Sequence, residues 1–217
     1  MGDSSVGPID HNNPAISPHY RAGHWRRWRN CYNIDSSSVD WQDAVDIFYD
    51  RLNGRFLAPI DAIINHSDSA IQEFSGFAIM ALDCLIIETL TQFYHGRNDT
   101  LQRQGNATFQ QFLTTSVYFQ NEFDNGKAEA FYDHFRNGLL HQAQTKGKSK
   151  IRINEPQMVQ QINPRNVNDG LIIDRKRFHN ALLDEISDYK QRLLHPSTQN
   201  DHTLRQNFVT KMDFIAS

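Results

Sequence analysis

Cysteine is nearly missing from this chain. Cys31 and Cys84 are the whole supply, too few and too far apart for a disulfide framework or a cysteine zinc site. Cys84 stands in an apolar run, where a buried, inert thiol is expected. The first thirty residues carry no apolar core of a secretory leader. Together these point to a reducing, cytoplasmic setting. Neither sign of charge is in excess, with 22 basic against 25 acidic residues and a net charge of −3. That balance excludes a histone-like binder of nucleic acid and leaves room for a local basic patch. A glycine-rich phosphate loop, a Gly-x-Ser-x-Gly elbow, a heptad seam and an internal repeat are all lacking. P-loop chemistry, the common serine-hydrolase arrangement and a coiled coil go with them.

Long hydrophobic runs free of charge are lacking as well. The most apolar span, Phe74 to Tyr94, is interrupted by Asp83 and Glu88, and an aspartate at mid-bilayer costs about 2.5–3.5 kcal/mol. A buried core helix is expected there, with no membrane partner. What remains is 217 residues with 39% hydrophobic content, enough for one domain with an appended tail.

Pro8, Pro14 and Pro18 predict an irregular arm over residues 1–40. Within it, His24-Trp25-Arg26-Arg27-Trp28-Arg29 alternates cations with indoles. Such a stretch suits RNA, phosphates meeting Arg26 and Arg27 while indoles stack on bases. The other reading is that the tryptophans pack on the domain and leave the arginines in solvent. Trp41, Val45, Phe48 and Leu52 then mark one face of a helix over about 40–65, with Asp40 as cap and a kink near Leu57 imposed by Pro59. A second helix, about 69–94, is apolar nearly all round, so its acids are its informative residues. They are expected either to pair with Arg51 or Arg55, or, for Glu88, to orient Arg136 or His141. A shorter helix opens near Thr108. Ile151-Arg152-Ile153 and Leu171-Ile172-Ile173 predict a two-stranded β appendage. A helix from about Asp174 to Pro196 and a short amphipathic tail complete a mostly α chain, divided as an arm (1–40), a helical domain (41–195) and a tail (196–217).

The chemistry gathers at Phe131-Tyr132-Asp133-His134-Phe135-Arg136-Asn137-Gly138-Leu139-Leu140-His141-Gln142. Phe131, Phe135 and Leu139 anchor one helix face. On a regular helix Arg136 and His141 lie roughly 140° apart. Their convergence needs the arginine's reach, a distortion near Gly138, or a second copy of the helix. A loop rich in lysine follows, with Lys146, Lys148, Lys150 and then Arg152. Asp133, His134 and His141 do not suit one metal, because the two histidines lie two turns, about 10 Å, apart along a helix.

Arg136-Asn137-Gly138-Leu139-Leu140-His141 resembles the hallmark of the HEPN superfamily of helical domains, Arg-x(4–6)-His with Asn, Asp or His often after the arginine. The helix order is also similar, and the resemblance covers roughly residues 41–195. It implies a HEPN-like antiparallel bundle and, for many members, a metal-independent endoribonuclease that needs no cofactor. Such an enzyme works as a homodimer with a composite site, toxin-like in defence or stress and held by a cognate inhibitor or antitoxin protein. By resemblance His141 is the general acid or base, a role suited to a side chain that exchanges protons near neutral pH. Arg136 binds the scissile phosphate, Asn137 orients its neighbours, Glu88 supports them, and Lys146, Lys148, Lys150 and Arg152 follow the RNA backbone. The competing reading is a non-catalytic HEPN-like module that binds nucleic acid, a nucleotide or a partner protein.

Overall fold

A computed structural model describes residues 12–98 and 105–217. The described chain is mostly helical, with one small mixed sheet. Where irregular backbone is expected in the arm, residues 22–31 instead form α1 (Ala22–Cys31). Trp25 and Trp28, three apart, share a face. Both are buried, and their rings stack at 4.8 Å. Trp25 Nε1 donates to Asp213 Oδ1 at 2.7 Å, and Arg26 donates from Nε and Nη2 to the Ala216 carbonyl at 3.1 and 2.7 Å. The tryptophan-burial reading therefore describes this segment. Arg26 reaches back to the end of the last helix, yet both Arg26 and Arg27 remain exposed. Pro8 lies outside the described residues.

Ser37, and not Asp40, caps α2 (Ser38–Leu52); Asp40 is the reciprocal member of the capping box. The kink expected before Pro59 is realised as a π segment, Asn53–Leu57, that leads into α3 (Ala58–Ile64) without a break. The long second helix is split at Ser75 into α4 (Ser69–Phe74), capped by Asp68, and α5 (Gly76–His95). Gly96, at φ +61°, closes α5 in the left-handed conformation that glycine adopts without strain. α5 is long and apolar enough to cross a membrane. In this fold it is the central helix, packed against α9 (Arg175–Leu194) and α10 (Gln199–Ile215). Neither of its acids pairs with Arg51 or Arg55. Asp83 is bonded to His179 and Glu88 to Arg136, while Arg51 donates to the Ile16 carbonyl.

After α6 (Gly105–Thr115) the chain runs through α7 (Asn125–Phe131) into the motif. The polar loop expected after Asn98 lies largely outside the described residues. The two expected strands, β1 (Lys150–Arg152) and β3 (Leu171–Asp174), pair in parallel, Ile151 opposite Ile173. A third strand makes the appendage three-stranded: β2 (Val159–Gln161), antiparallel to β3, giving the order β1-β3-β2. Its two glutamines mask it, because strand propensity is weak without a β-branched or aromatic run. The expected short tail is the 17-residue α10, whose Leu204, Phe208 and Met212 are buried.

The aromatic rings form two groups. Trp25, Trp41, Phe48 and Phe93 surround Phe208, and Trp28 packs on Trp25 and Trp41. Phe109, Phe119, Phe123, Phe131, Phe135 and Phe178 form the other, with Phe131 parallel to both Phe135 and Phe178 at 5.0 Å. This second group seats the motif helix on the core.

Asp201 fastens α10 to α9. Its buried carboxylate accepts from Arg192 Nε at 2.8 Å, Thr198 Oγ1 at 2.8 Å and the Ser197 and Thr198 amides at 3.1 and 3.0 Å. Burial opposes ionisation, but these donors outweigh it and hold the carboxyl well below the usual range. A depressed folded pKa adds stability that is present above the unfolded value and is lost as pH falls through the folded one. Asp201→Asn should therefore cost about 1–3 kcal/mol at neutral pH. The gap from the parent should narrow below about pH 4, in thermal melts taken from pH 7 to 2.

Candidate functional site

The motif helix is not a regular α-helix. Tyr132–Asn137 is π-helical, between α7 and the short α8 (Gly138–Gln142). A π turn bonds i to i+5 and so turns less per residue. This distortion, together with the arginine's length, brings Arg136 Nη1 to 3.5 Å from His141 Nε2 within one chain. A second copy is not needed for the two to meet. Arginine can only donate, so this contact suits a ring carrying its hydrogen on Nδ1 and its lone pair on Nε2.

Arg136 is held from α5. Its Nε donates to Glu88 Oε1 at 2.6 Å, and both side chains are about four-fifths buried, at 21% and 19% exposure. Burial lowers the guanidinium's pKa, but the Glu88 bond and charge outweigh it and raise it above the ordinary value. With Nε committed to Glu88 and Nη1 turned to His141, the two N–H groups of Nη2 are left for an acceptor. Nη1 also donates to Asn137 Oδ1 at 3.2 Å, and the Tyr132 ring lies 5.5 Å from Cζ. Cys84, one turn before Glu88, is buried, and burial pushes its thiol well up.

A second line of contacts braces the π turn from the other side. Asp133 accepts from Lys146 Nζ at 2.6 Å and from the Asn137 side chain. The Lys146 bond leads the causes that lower the Asp133 pKa, with burial opposing. Asn137 thus bridges Asp133 and Arg136. The Lys146 amide donates to the His134 carbonyl at 3.0 Å, and His134 Nδ1 meets Ser149 Oγ at 2.9 Å. Gly138 makes room for this loop, because a Cβ there would stand 2.5 Å from the Gln144 carbonyl oxygen. Ala143 takes the left-handed conformation at φ +55°. For a residue with a Cβ that costs about 1–2 kcal/mol. The strain sits two residues from His141.

The structure brings together Glu88, Arg136, Asn137 and His141. His141 itself is exposed at the end of α8. Of the expected RNA-backbone cations, Lys148 and Lys150 face solvent. Lys146 is turned inward onto Asp133, and Arg152 borders a separate cleft. The Asp133–Lys146 pair and the π turn escaped the sequence reading: an Asp–Lys pair thirteen positions apart has no local signature, and no residue type marks a π turn. Among the described residues no three His, Cys, Asp or Glu side chains are placed to hold a metal. No family model, curated protein or solved structure matches this chain.

The Glu88–Arg136 pair yields a stability test. Removing one partner strands the other half-buried, so Glu88→Ala should lower unfolding free energy by about 1–3 kcal/mol. The double variant with Arg136→Ala should cost less than the two single costs added, in a denaturant double-mutant cycle.

Proposed function

We propose that the chain is a metal-independent endoribonuclease of HEPN type, acting in the cytoplasm as a homodimer. The observation that carries this reading is the approach of Arg136 to His141 at 3.5 Å, with Glu88 fixing the guanidinium from behind. An arginine so held presents two N–H groups to a phosphate and loses little entropy on binding it. An adjacent imidazole with a lone pair supplies the proton transfer.

His141 takes the proton from the ribose 2′-hydroxyl. The 2′-oxygen attacks phosphorus, Arg136 stabilises the charge that develops on the phosphoryl oxygens, and the P–O5′ bond breaks as the 5′-oxygen takes a proton from the protonated imidazole of the partner's His141. The products are a 2′,3′-cyclic phosphate and a 5′-hydroxyl. Asn137 and Glu88 are positioning residues, acting through Arg136. Lys148 and Lys150 follow the backbone as solvent-screened contacts. The exposed strip Leu140-His141-Gln142 is where a second copy sets its own motif, making the site composite.

A non-catalytic binding module is the competing reading. It draws on the same geometry, since Glu88 already neutralises Arg136 and would weaken its hold on phosphate.

Purified protein incubated with single-stranded and hairpin RNAs in excess EDTA decides between them. Cleavage is expected, leaving cyclic phosphate ends. His141→Ala should lower the rate by about 10²–10⁴-fold and Arg136→Ala by at least about 10²-fold, with melting curves showing both variants folded. A folded dimer that cuts none of the RNAs, or that cuts them as fast with His141→Ala, overturns the assignment.

A further inference from the structure

A cleft lies elsewhere and shares no residue with the Glu88–Arg136–His141 site. It has a volume of about 770 Å³ and opens between α3–α4 on one side and β1 with the first turns of α9 on the other. That size falls in the range of small-molecule sites.

Its lining is divided by chemistry. The apolar part is wholly aliphatic: Ile64, Ile79, Ile151, Ile153 and Leu183. Three of these keep considerable exposure, Ile64 at 39%, Ile153 at 47% and Leu183 at 38%. Exposed aliphatic side chains around one concavity are costly unless something covers them. No Phe, Tyr or Trp ring lines the cleft, so a flat base would find little to stack on. Charge is divided between the walls. Arg152, Arg175 and Lys176 stand on the β1–α9 wall, against Asp61 and Glu73 on the α3–α4 wall. Arg175 is anchored by bonds to the Gln72 carbonyl and Ser75 Oγ. Arg152 and Lys176 are exposed.

An independent sign comes from the floor. His179, on α9, lines the cleft and is 3% exposed. Its Nδ1 lies 2.8 Å from Asp83 Oδ1 on α5. Whichever of the two carries the proton, His179 Nε2 and Asp83 Oδ2 are buried without a hydrogen-bond partner. Unpartnered buried polar atoms are rare and costly. Nε2 is on the ring edge turned from Asp83, and Leu183 follows one turn later on the same helix face.

From the aliphatic lining, the one-sided cations and the unpartnered imidazole nitrogen, we infer that this cleft binds a small aliphatic carboxylate. The chain of the ligand covers the isoleucines and Leu183. Its carboxylate rests between Arg152 and Lys176 as a charge-assisted pair, with an oxygen turned toward the floor and His179 Nε2.

The test is calorimetric titration of the full chain with octanoate, octylamine and adenosine 5′-monophosphate as probes. Octanoate is expected to bind saturably at one site, and the other two not to compete. The double variant Arg152→Glu with Lys176→Glu, at exposed positions that leave the core untouched, should weaken octanoate by about tenfold or more. Leu183→Trp should block it sterically. His179→Phe removes the nitrogen and should weaken octanoate if its melting curve matches the parent. The charge and Leu183 variants decide the matter independently of how His179→Phe folds. Octanoate binding indifferent to both, tighter binding of octylamine, or a site taken by the nucleotide overturns the proposal. None of these readouts depends on RNA cleavage.

Discussion

A carboxylate two-thirds of the way along an almost wholly apolar helix must be matched or neutralised, and Arg136 is the match. The 2.6 Å bond from Arg136 Nε to Glu88 ties the central helix to the motif helix at the point where both would otherwise face an uncompensated charge. Much else follows from it. The guanidinium cannot swing freely, so its outer edge has a fixed direction. His141 then needs only to come round the helix to meet it, and the π turn supplies that rotation.

The π turn is itself expensive and is braced on several sides. Phe131 and Phe135 hold its inner face in the aromatic core. Lys146 reaches back with both amide and ammonium, to the His134 carbonyl and to Asp133. Gly138 leaves the space into which the returning loop folds. The lysine that looks from the sequence like a free cation for RNA is thus part of the scaffold. The strained Ala143 belongs to the same economy, since local strain near a site persists only where surrounding contacts over-determine it.

Legibility in the sequence followed the range of the interactions. Caps are local, so the starts near Asp68 and Asp174 could be read directly, and Ser37 was missed only because Asp40 shares its capping box. Amphipathic faces are also local, and Phe131, Phe135 and Leu139 sit on the core as their spacing implies. Glu88 and Asp83 were recognisable as acids in need of partners. Arg136, 48 positions from Glu88, was among the partners its sequence context offered, whereas His179, 96 positions from Asp83, is selected only by the packing of α5 on α9. β2 was hidden because its residues become a strand only once β3 is beside them. The helical character of 22–31 was obscured by prolines that lie ahead of it and do not interrupt it.

The placing of the indoles has an experimental consequence. All three tryptophans of the chain belong to the ring group around Phe208, and the motif's phenylalanines belong to the other. Intrinsic fluorescence therefore reports on the junction of α1, α2 and α10, whereas loosening confined to the π turn would pass unseen by it. A spectroscopic probe for the motif end of the molecule has to be installed there, and exposed Leu140, beside His141, is a place where an indole would see the change.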